Sequence, residues 1–312
     1  MHRAIMIIGL AAVASTAAAQ GGRSVSQGRG TADIANVYDC PTAEERPSPV
    51  GKVTSRDGKV WTMPAVNNFA SGPRAADLYN ECTNAKPASL AQVPQSPVVE
   101  VDADGEVITG YLMADNYFEL YVNGKLVAVD ATPFTPFNSA AVRFKAKRPV
   151  SYAVKLIDWE ENLALGSESA PGGGFHPGDG GFIARFSDGT VTDESWKAQS
   201  FYIAPLASPD AVVETGNVHA TPGLARTYPA APAQAACGDQ CYAVHYPVPA
   251  NWTAKAFDAS GWPAASLFTP EEMGIDRQPG YAGFTEAFAG AKVIWSSNLV
   301  YDNVVLTRKT GR

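Results

Sequence analysis

Alternating apolar and polar positions predict a chain built from short strands. Across residues 117–122, Phe, Leu and Val occupy the even positions, while Tyr and Glu occupy the odd ones. This period of two predicts a half-buried strand. Asn123-Gly124 follows at once, and apolar residues resume over 126–129, which is the pattern of a hairpin closed by a two-residue turn.

The pattern along the rest of the chain predicts further strands and few helices. Further strands are predicted over residues 141–147, 150–159, 182–186, 190–192, 292–295 and 303–308. A short helix is expected over residues 75–81, and Thr269-Pro270-Glu271-Glu272 has the capping Thr, early Pro and early acids of a helix start. Many short strands separated by turn signals indicate a mostly β protein, an antiparallel β-sandwich with few short helices.

The first residues have the composition of an export signal. Met1-His2-Arg3 is a short basic start, residues 4–14 are apolar, and Ala17-Ala18-Ala19 places small residues before Gln20. We therefore expect a signal peptide over residues 1–19 and a secreted or periplasmic product. The alternative, a membrane anchor, would need ~20 apolar residues, and the run over residues 4–14 is too short. No later segment is apolar enough to span a membrane, so no span is expected after cleavage.

The rest of the chain divides by composition into three parts. Residues 20–31 are rich in Gly and Ser and predict a flexible lead-in, and residues 32–95 form a small N-terminal region. That region contains Asp57-Gly58, which suits a two-residue type I′ turn. Because so short a region is marginal as an independent unit, it needs a disulfide or packing against the main sandwich, residues 96–312.

Four cysteines in an exported chain indicate two disulfides. Proximity along the chain favours Cys40 with Cys82 and Cys237 with Cys241, although three pairings are possible. A competing interpretation takes Cys237, Cys241 and His245, spaced C-x3-C-x3-H, as three metal ligands on a helix.

Charge and composition exclude some partners. The chain is 46% hydrophobic and 18% charged, which is enough apolar material for a packed core. The formal net charge of −7 becomes −8 when Arg3 is removed with the signal peptide. An acidic chain of this kind is not expected to bind nucleic acid without sequence preference.

Three stretches resemble a known superfamily. Residues 114–125, Ala-Asp-Asn-Tyr-Phe-Glu-Leu-Tyr-Val-Asn-Gly-Lys, resemble a hairpin of galactose-binding-like jelly-roll domains. Residues 252–264, with Trp252 and Phe257-Asp258, and residues 187–197, with Ser187-Asp188-Gly189-Thr190, are similar to other pieces of such domains, although the Trp252 stretch comes late in the order. The resemblance implies a jelly-roll sandwich of the kind found in secreted bacterial proteins, and it implies carbohydrate binding as one of several roles that the fold supports.

The richest polar stretch follows the predicted strand 150–159. Trp159 lies among acids, and the loop 172–181 downstream has six Gly in ten residues. Trp159 is placed to stack on a sugar ring while neighbouring polar groups bind its hydroxyls, and the competing interpretation makes Trp159 a core residue. The ligand-binding residues predicted here are Asp158, Trp159, Glu160, Glu161, Asn162, His176 and Asp179.

The same cluster admits a catalytic alternative. Asp158 and Glu160, two residues apart on one strand face, lie about 7 Å apart at ~3.4 Å per residue, a spacing that glycosidases use. His176 would add a base. Against this, nothing in the local sequence supplies the raised pKa of a general acid.

A structural calcium ion is a further expectation, because domains of the resembled superfamily often carry one. Asp102 and Asp104 alternate before Gly105 like the start of a calcium loop, but Met113 stands where an EF-hand has its final Glu. The common nucleotide, serine-hydrolase and metalloprotease motifs are missing from the sequence.

Three functional hypotheses follow. The first is a noncatalytic binding protein for a carbohydrate or cell-envelope polymer. The second is a polysaccharide-acting enzyme that uses Asp158, Glu160 and His176, and the third is a structural envelope protein without a small ligand. The sequence leaves the oligomeric state open.

Overall fold

A computed structural model describes residues 22–38, 40, 46–131, 137–169, 174–227 and 235–311. The predicted signal peptide lies outside these residues. The strands are β1 (Ser24–Gln27), β2 (Thr31–Ile34), β3 (Val50–Thr54), β4 (Val60–Met63), β5 (Ala76–Tyr79), β6 (Val98–Glu100), β7 (Glu106–Asp115), β8 (Tyr117–Val122), β9 (Lys125–Val129), β10 (Ser139–Ala146), β11 (Ser151–Ile157), β12 (Ser167–Ser169), β13 (Phe175–Pro177), β14 (Gly181–Phe186), β15 (Lys197–Leu206), β16 (Val213–Thr215), β17 (Val218–Ala220), β18 (Tyr242–His245), β19 (Ser266–Phe268), β20 (Val293–Trp295) and β21 (Asp302–Thr310).

Helices are few and short, as predicted. The described residues contain one α-helix, α1 (Pro279–Ala282), and 3₁₀ turns at Leu90–Gln92, Pro209–Ala211, Ala235–Gln240 and Thr285–Phe288. No helix among the described residues has the length and apolarity needed to cross a membrane.

Two large sheets pack face to face, which confirms the predicted β-sandwich. The first sheet has the order β1-β18-β15-β21-β11-β8-β9, and the second has the order β19-β20-β14-β7-β10-β5 with β6 alongside β10. All strand pairs in the two sheets are antiparallel except β6 with β10. Side chains such as Phe118, Leu156 and Phe182 fill the space between the sheets.

A second apolar core covers the outer face of the first sheet, the face that points away from the second sheet. Tyr117, Ala153 and Ile157 lie there, packed against Tyr38 and Phe69 from the N-terminal region. The prediction that strand 117–122 is half-buried is therefore wrong. The strand is buried on both faces because Tyr38 and Phe69, which are far away in the sequence, cover the face that carries Tyr117.

The N-terminal region is built into the sandwich. Strand β1 pairs with β18 at the edge of the first sheet, so this part of the expected flexible lead-in is an ordered strand. Strands β2, β3 and β4 form a small sheet of their own, and β5 pairs with β10 in the second sheet. The lead-in and the N-terminal region together thus contribute strands to both layers.

Two predicted helices do not form. Residues 76–79 are strand β5, because pairing with β10 and complete burial of Leu78 outweigh the local helical pattern. At Thr269 the capping bonds do form, with Glu272 N–H donating to Thr269 Oγ1 at 3.2 Å, but the chain makes only a turn. Gly274 at φ +75° ends that turn.

The two predicted hairpin turns behave differently. Asn123 and Gly124 both have positive φ, and Val122 pairs with Lys125, so the predicted two-residue hairpin turn is confirmed. At Asp57-Gly58 the paired residues are Thr54 and Val60, and only Gly58 has positive φ. The hairpin exists, but the Gly58 N–H donates to the Ser55 carbonyl oxygen and the Ser55 N–H donates to that of Lys59, so the prediction of a two-residue type I′ turn is wrong. The Asp57 carboxylate accepts hydrogen bonds from the hydroxyls of Ser24 and Ser55.

Both favoured disulfides are confirmed, Cys40–Cys82 and Cys237–Cys241. Two disulfides are the chemistry of an oxidising compartment. The metal-binding alternative for the second pair is wrong, because its sulfurs are bonded to each other. His245 lies on β18, where its Nε2 is 2.7 Å from Ser26 Oγ.

Candidate functional site

The acid-rich stretch singled out in the sequence is interior. Trp159 and Glu160 are fully buried, Asp158 is 1% exposed and Asn162 is 4% exposed. The Trp159 ring packs against Tyr38 with ring centroids 4.7 Å apart. Trp159 is thus a core residue, and it offers no exposed ring face to a sugar.

The glutamates of this stretch hold the loop that follows them. Glu160 accepts hydrogen bonds from the backbone N–H groups of Ala164 and Gly166 and from the Tyr202 hydroxyl. Burial raises the pKa of Glu160 to about 7 in spite of these bonds. Glu161 is paired with Arg46 at 2.8 Å.

Asp158 belongs to a group of buried carboxyls that the sequence only partly predicted. Neither of its oxygens has a hydrogen-bond partner among the described residues. Burial, and then the negative charges of Glu168 and Asp115, raise its pKa well above the usual range, which favours its neutral form. Burial and Glu168 likewise raise the pKa of Asp179 to about 7. Sequence reasoning missed Glu168 and Asp115 because their approach to Asp158 is a tertiary contact.

His176 lies on β13, which pairs with β12, so that it stands directly opposite Glu168. Its Nδ1 is 2.8 Å from the carbonyl oxygen of Pro177. Asp158, Glu160 and His176 do not line any of the cavities described below, and the two acids are enclosed by protein.

The two calcium candidates are engaged by other groups. The Asp102 carboxylate accepts hydrogen bonds from Asn123 Nδ2 at 2.8 Å and from the backbone N–H of Lys147 at 2.9 Å. Asp104 pairs with the Lys147 ammonium at 2.6 Å. Across the described ranges, no three His, Cys, Asp or Glu side chains are grouped so as to hold a metal ion.

A different site, which the sequence did not predict, lies on the outer face of the first sheet. It is a pocket of about 350 Å³ between this sheet and the segment that continues from β4, a size in the range of small-molecule sites. Its lining consists of Trp61, Thr62, Pro64, Ala65, Val66, Asn68, Glu119, Tyr121, Lys155, Phe201, Tyr202, His245, Tyr246, Val248, Trp252 and Val304. This set is called the aromatic pocket below.

Five neighbouring strands supply the floor of the aromatic pocket. Glu119 on β8 stands directly opposite Lys155 on β11, and Tyr202 on β15 stands opposite both His245 on β18 and Val304 on β21. Because side chains alternate across a strand, all five of these residues project to the same outer face. The floor is therefore fixed by sheet register.

Aromatic rings form the walls. His245 lies between Trp61 and Tyr202, with ring centroids 5.1 and 5.2 Å away and the planes nearly parallel. Trp252 meets Tyr121 edge-on at 5.3 Å. At the rim, Val66 is 72% exposed and Val248 is 43% exposed. Flat apolar surfaces thus enclose the pocket and continue to its mouth.

The one carboxylate in this lining is saturated. Glu119 accepts hydrogen bonds from the Asn68 backbone N–H, from Asn68 Nδ2 at 2.9 Å and from the hydroxyls of Tyr121 and Tyr117 at 2.8 and 3.2 Å. The Lys155 ammonium adds an ion pair at 3.4 Å and also donates to the Val66 carbonyl oxygen. Glu119 thus stabilises the pocket floor and has little capacity left for a ligand.

Other polar groups in the lining retain hydrogen-bonding capacity. The Thr62 hydroxyl, the Asn68 amide oxygen and His245 Nδ1 have no hydrogen bond to any described residue. Burial lowers the pKa of His245 to about 3, so its ring is neutral across the physiological range. The pocket therefore presents uncharged donors and acceptors beside aromatic faces, with Lys155 as the only charged donor.

One sequence signal pointed toward this pocket. The odd-numbered face of strand 117–122, with two tyrosines and a glutamate, is more aromatic than a solvated strand face needs to be. The remaining lining residues come from segments as far apart as Trp61 and Val304, and no local pattern joins them.

No protein-family model, curated protein or solved structure matches this chain.

Proposed function

We propose that this protein is a secreted or periplasmic, noncatalytic binding protein for a carbohydrate or cell-envelope polymer, and that a sugar unit of that ligand binds in the aromatic pocket. The observation that carries the proposal is the pocket itself. It combines aromatic rings with three uncharged polar atoms that have no hydrogen bond to any of the described residues.

Sugars suit such a lining because each ring has apolar C–H faces and polar edges. The C–H faces pack on aromatic surfaces such as Trp61, while hydroxyl groups need both donors and acceptors. The Thr62 hydroxyl supplies both, and the Asn68 amide oxygen supplies an acceptor. A buried site that hydrogen-bonds hydroxyls in this way discriminates strongly against molecules that lack them.

The pocket chemistry favours binding over hydrolysis. A glycosidase needs two carboxyl groups beside the bond that it cleaves, whereas Glu119 is the single carboxylate among the described lining residues, and its oxygens are occupied by protein donors. The catalytic alternative at Asp158, Glu160 and His176 would require a polysaccharide to reach carboxyls that the protein encloses.

Export is the part of this proposal that rests on chemistry outside the pocket. The two disulfides need an oxidising compartment to form and persist. The basic and apolar residues at positions 1–19 have the composition expected of an export signal, which supports this part of the proposal.

The proposal is tested by screening the protein, expressed with its disulfides intact, on an array of neutral and acidic oligosaccharides. The glycans that bind are then titrated by calorimetry with the wild type and with Trp61→Ala. We expect binding without cleavage of the glycan, and at least about tenfold weaker affinity in the variant, because a large aromatic contact is lost. Glycan cleavage that Glu160→Gln abolishes would favour the enzyme hypothesis, and a lack of binding to any glycan would favour the structural one.

A further inference from the structure

A second cavity lies at the other end of the same sheet, where β15 begins and β21 ends. It has a volume of about 370 Å³. The lining residues are Ser195, Lys197, Phe257, Asp258, Ala259, Ser260, Arg308, Lys309 and Thr310. Three of these side chains are cations and one is a carboxylate. This set is called the basic cavity below.

The strand register forces two of the cations together. Lys197 on β15 and Arg308 on β21 are direct cross-strand partners, and both project to the outer face of the first sheet. Like charges placed directly opposite each other destabilise a sheet. A negative charge bound beside this pair would relieve the repulsion.

No described residue supplies that charge. Lys197, Arg308 and Lys309 form no ion pair within the described part of the chain. Lys309 donates to the Ser195 hydroxyl, which is neutral. The Asp258 carboxylate in the lining accepts the backbone N–H of Ser260 at 2.8 Å instead of pairing with a cation.

Arg308 is only 5% exposed, so its guanidinium lies largely out of water. Its guanidinium donates to the carbonyl oxygens of Trp252 and Ala254 and to Ser151 Oγ, all of them neutral acceptors. These bonds use three of its five N–H donors. The guanidinium also lies over the Phe257 ring, 5.3 Å from its centroid. It is thus fixed in place with two donors unused, and no carboxylate of the described residues pairs with it.

We infer that the basic cavity binds an oxyanion group, a phosphate, sulfate or carboxylate, between Lys197, Arg308 and Lys309. Oxyanions match both the planar donor geometry of a guanidinium and the point charge of an ammonium. The basic cavity shares no lining residue with the aromatic pocket. The two are neighbours, because Arg308 donates to the carbonyl oxygen of Trp252, which lines the aromatic pocket.

The inference is tested with inorganic phosphate, sulfate and acetate, each added at low ionic strength and compared with chloride at the same ionic strength. Binding is measured as a rise in the thermal unfolding midpoint and as a dissociation constant from calorimetry. The three anions form separate arms, and the anion that binds most tightly identifies the chemical source of the oxyanion.

Lys197→Gln is the test variant because, unlike Arg308, it has no hydrogen bond to the Trp252 segment. In chloride we expect it to be at least as stable as the wild type, since the like-charge pair has been removed. Its affinity for the preferred oxyanion should fall about tenfold, because a charge-assisted hydrogen bond is lost. Lys309→Gln provides a second variant, and Lys125→Gln, an exposed lysine on β9, is the matched control.

The inference is overturned if no oxyanion stabilises the wild type more than chloride does. It is also overturned if Lys197→Gln and Lys125→Gln respond to the oxyanion equally. Neither outcome bears on sugar binding in the aromatic pocket, because that is measured with Trp61→Ala and uncharged glycans.

Discussion

The pair of Glu119 and Lys155 makes the strongest prediction about stability. Both side chains are buried on the outer face of the first sheet, with 1% and 11% of their surface exposed. Burial lowers the pKa of Lys155, while the charge of Glu119 opposes this shift. Replacing Glu119 with Leu leaves that ammonium without its counter-ion.

The expected loss of stability is large because Glu119 also accepts hydrogen bonds from neutral donors. Without it, the hydroxyls of Tyr117 and Tyr121 and the amide of Asn68 lose an acceptor. Removing one member of a buried ion pair costs about 3–5 kcal/mol, so Glu119→Leu should lower the free energy of unfolding by at least about 3 kcal/mol. Lys155→Met should cost less, because Glu119 keeps its other donors.

Urea unfolding of the two single variants and of the double variant measures the coupling between the residues. We expect the double variant to lose less stability than the sum of the single losses, because neither charge is then buried alone. The matched control is Glu106→Leu, which breaks the exposed pair with Arg148 and should have little effect on stability, because water screens exposed ion pairs. The reasoning is refuted if Glu119→Leu is no more destabilising than Glu106→Leu, or if the double variant is additive.

Three further predictions follow from burial and covalent structure. The pKa of Glu160 rises from 4.5 to about 7 on folding, so its contribution to the free energy of unfolding is fully present below pH 4.5 and falls by about 3 kcal/mol as the pH rises through about 7. Urea unfolding at several pH values should show this fall in the wild type and not in Glu160→Gln. Parallel pH profiles of the two proteins would contradict the prediction. Removing Cys40–Cys82 by a double Ser substitution should lower the free energy of unfolding by about 4 kcal/mol, and removing Cys237–Cys241 should lower it by about 2 kcal/mol, because the first disulfide closes the longer loop. Equal losses of stability in thermal unfolding would count against this. Since the pKa of His245 is about 3, the glycan affinity measured by calorimetry should not change with a histidine titration between pH 5 and 8. A change in affinity with a midpoint near pH 6.5, present in the wild type and absent from His245→Gln, would contradict the buried neutral ring.

The fold was predictable where it depends on local pattern. Strand β8 matches the predicted residues 117–122 at both ends, because side chains that alternate in polarity fit only an extended chain with two different faces. The Asn123-Gly124 turn follows from the ease with which these two residue types adopt positive φ. What lies over each face could not be predicted, since that depends on segments far away in the sequence.

The candidate sites show the same limit. Trp159 and its acidic neighbours have the composition of a surface site, yet Asp158 is buried, and Arg46, Tyr202 and the backbone N–H groups of Ala164 and Gly166 bind Glu160 and Glu161 in the interior. The aromatic pocket forms only when β4 and the segment after it cover the outer face of the first sheet, to which β8, β11 and β18 all belong. Its residues were all visible in the sequence, but their proximity is a property of the sheet order.

The central claim, that a sugar binds in the aromatic pocket, is tested most directly by the affinity of one bound glycan for two variants. Trp61→Ala removes a wall of the pocket, and Phe175→Ala removes an aromatic side chain that is 50% exposed beside His176, in the loop region that the sequence favoured. We predict at least about tenfold weaker binding for Trp61→Ala and wild-type binding for Phe175→Ala. Unchanged binding by Trp61→Ala together with weakened binding by Phe175→Ala would contradict the account and place the ligand at the loop.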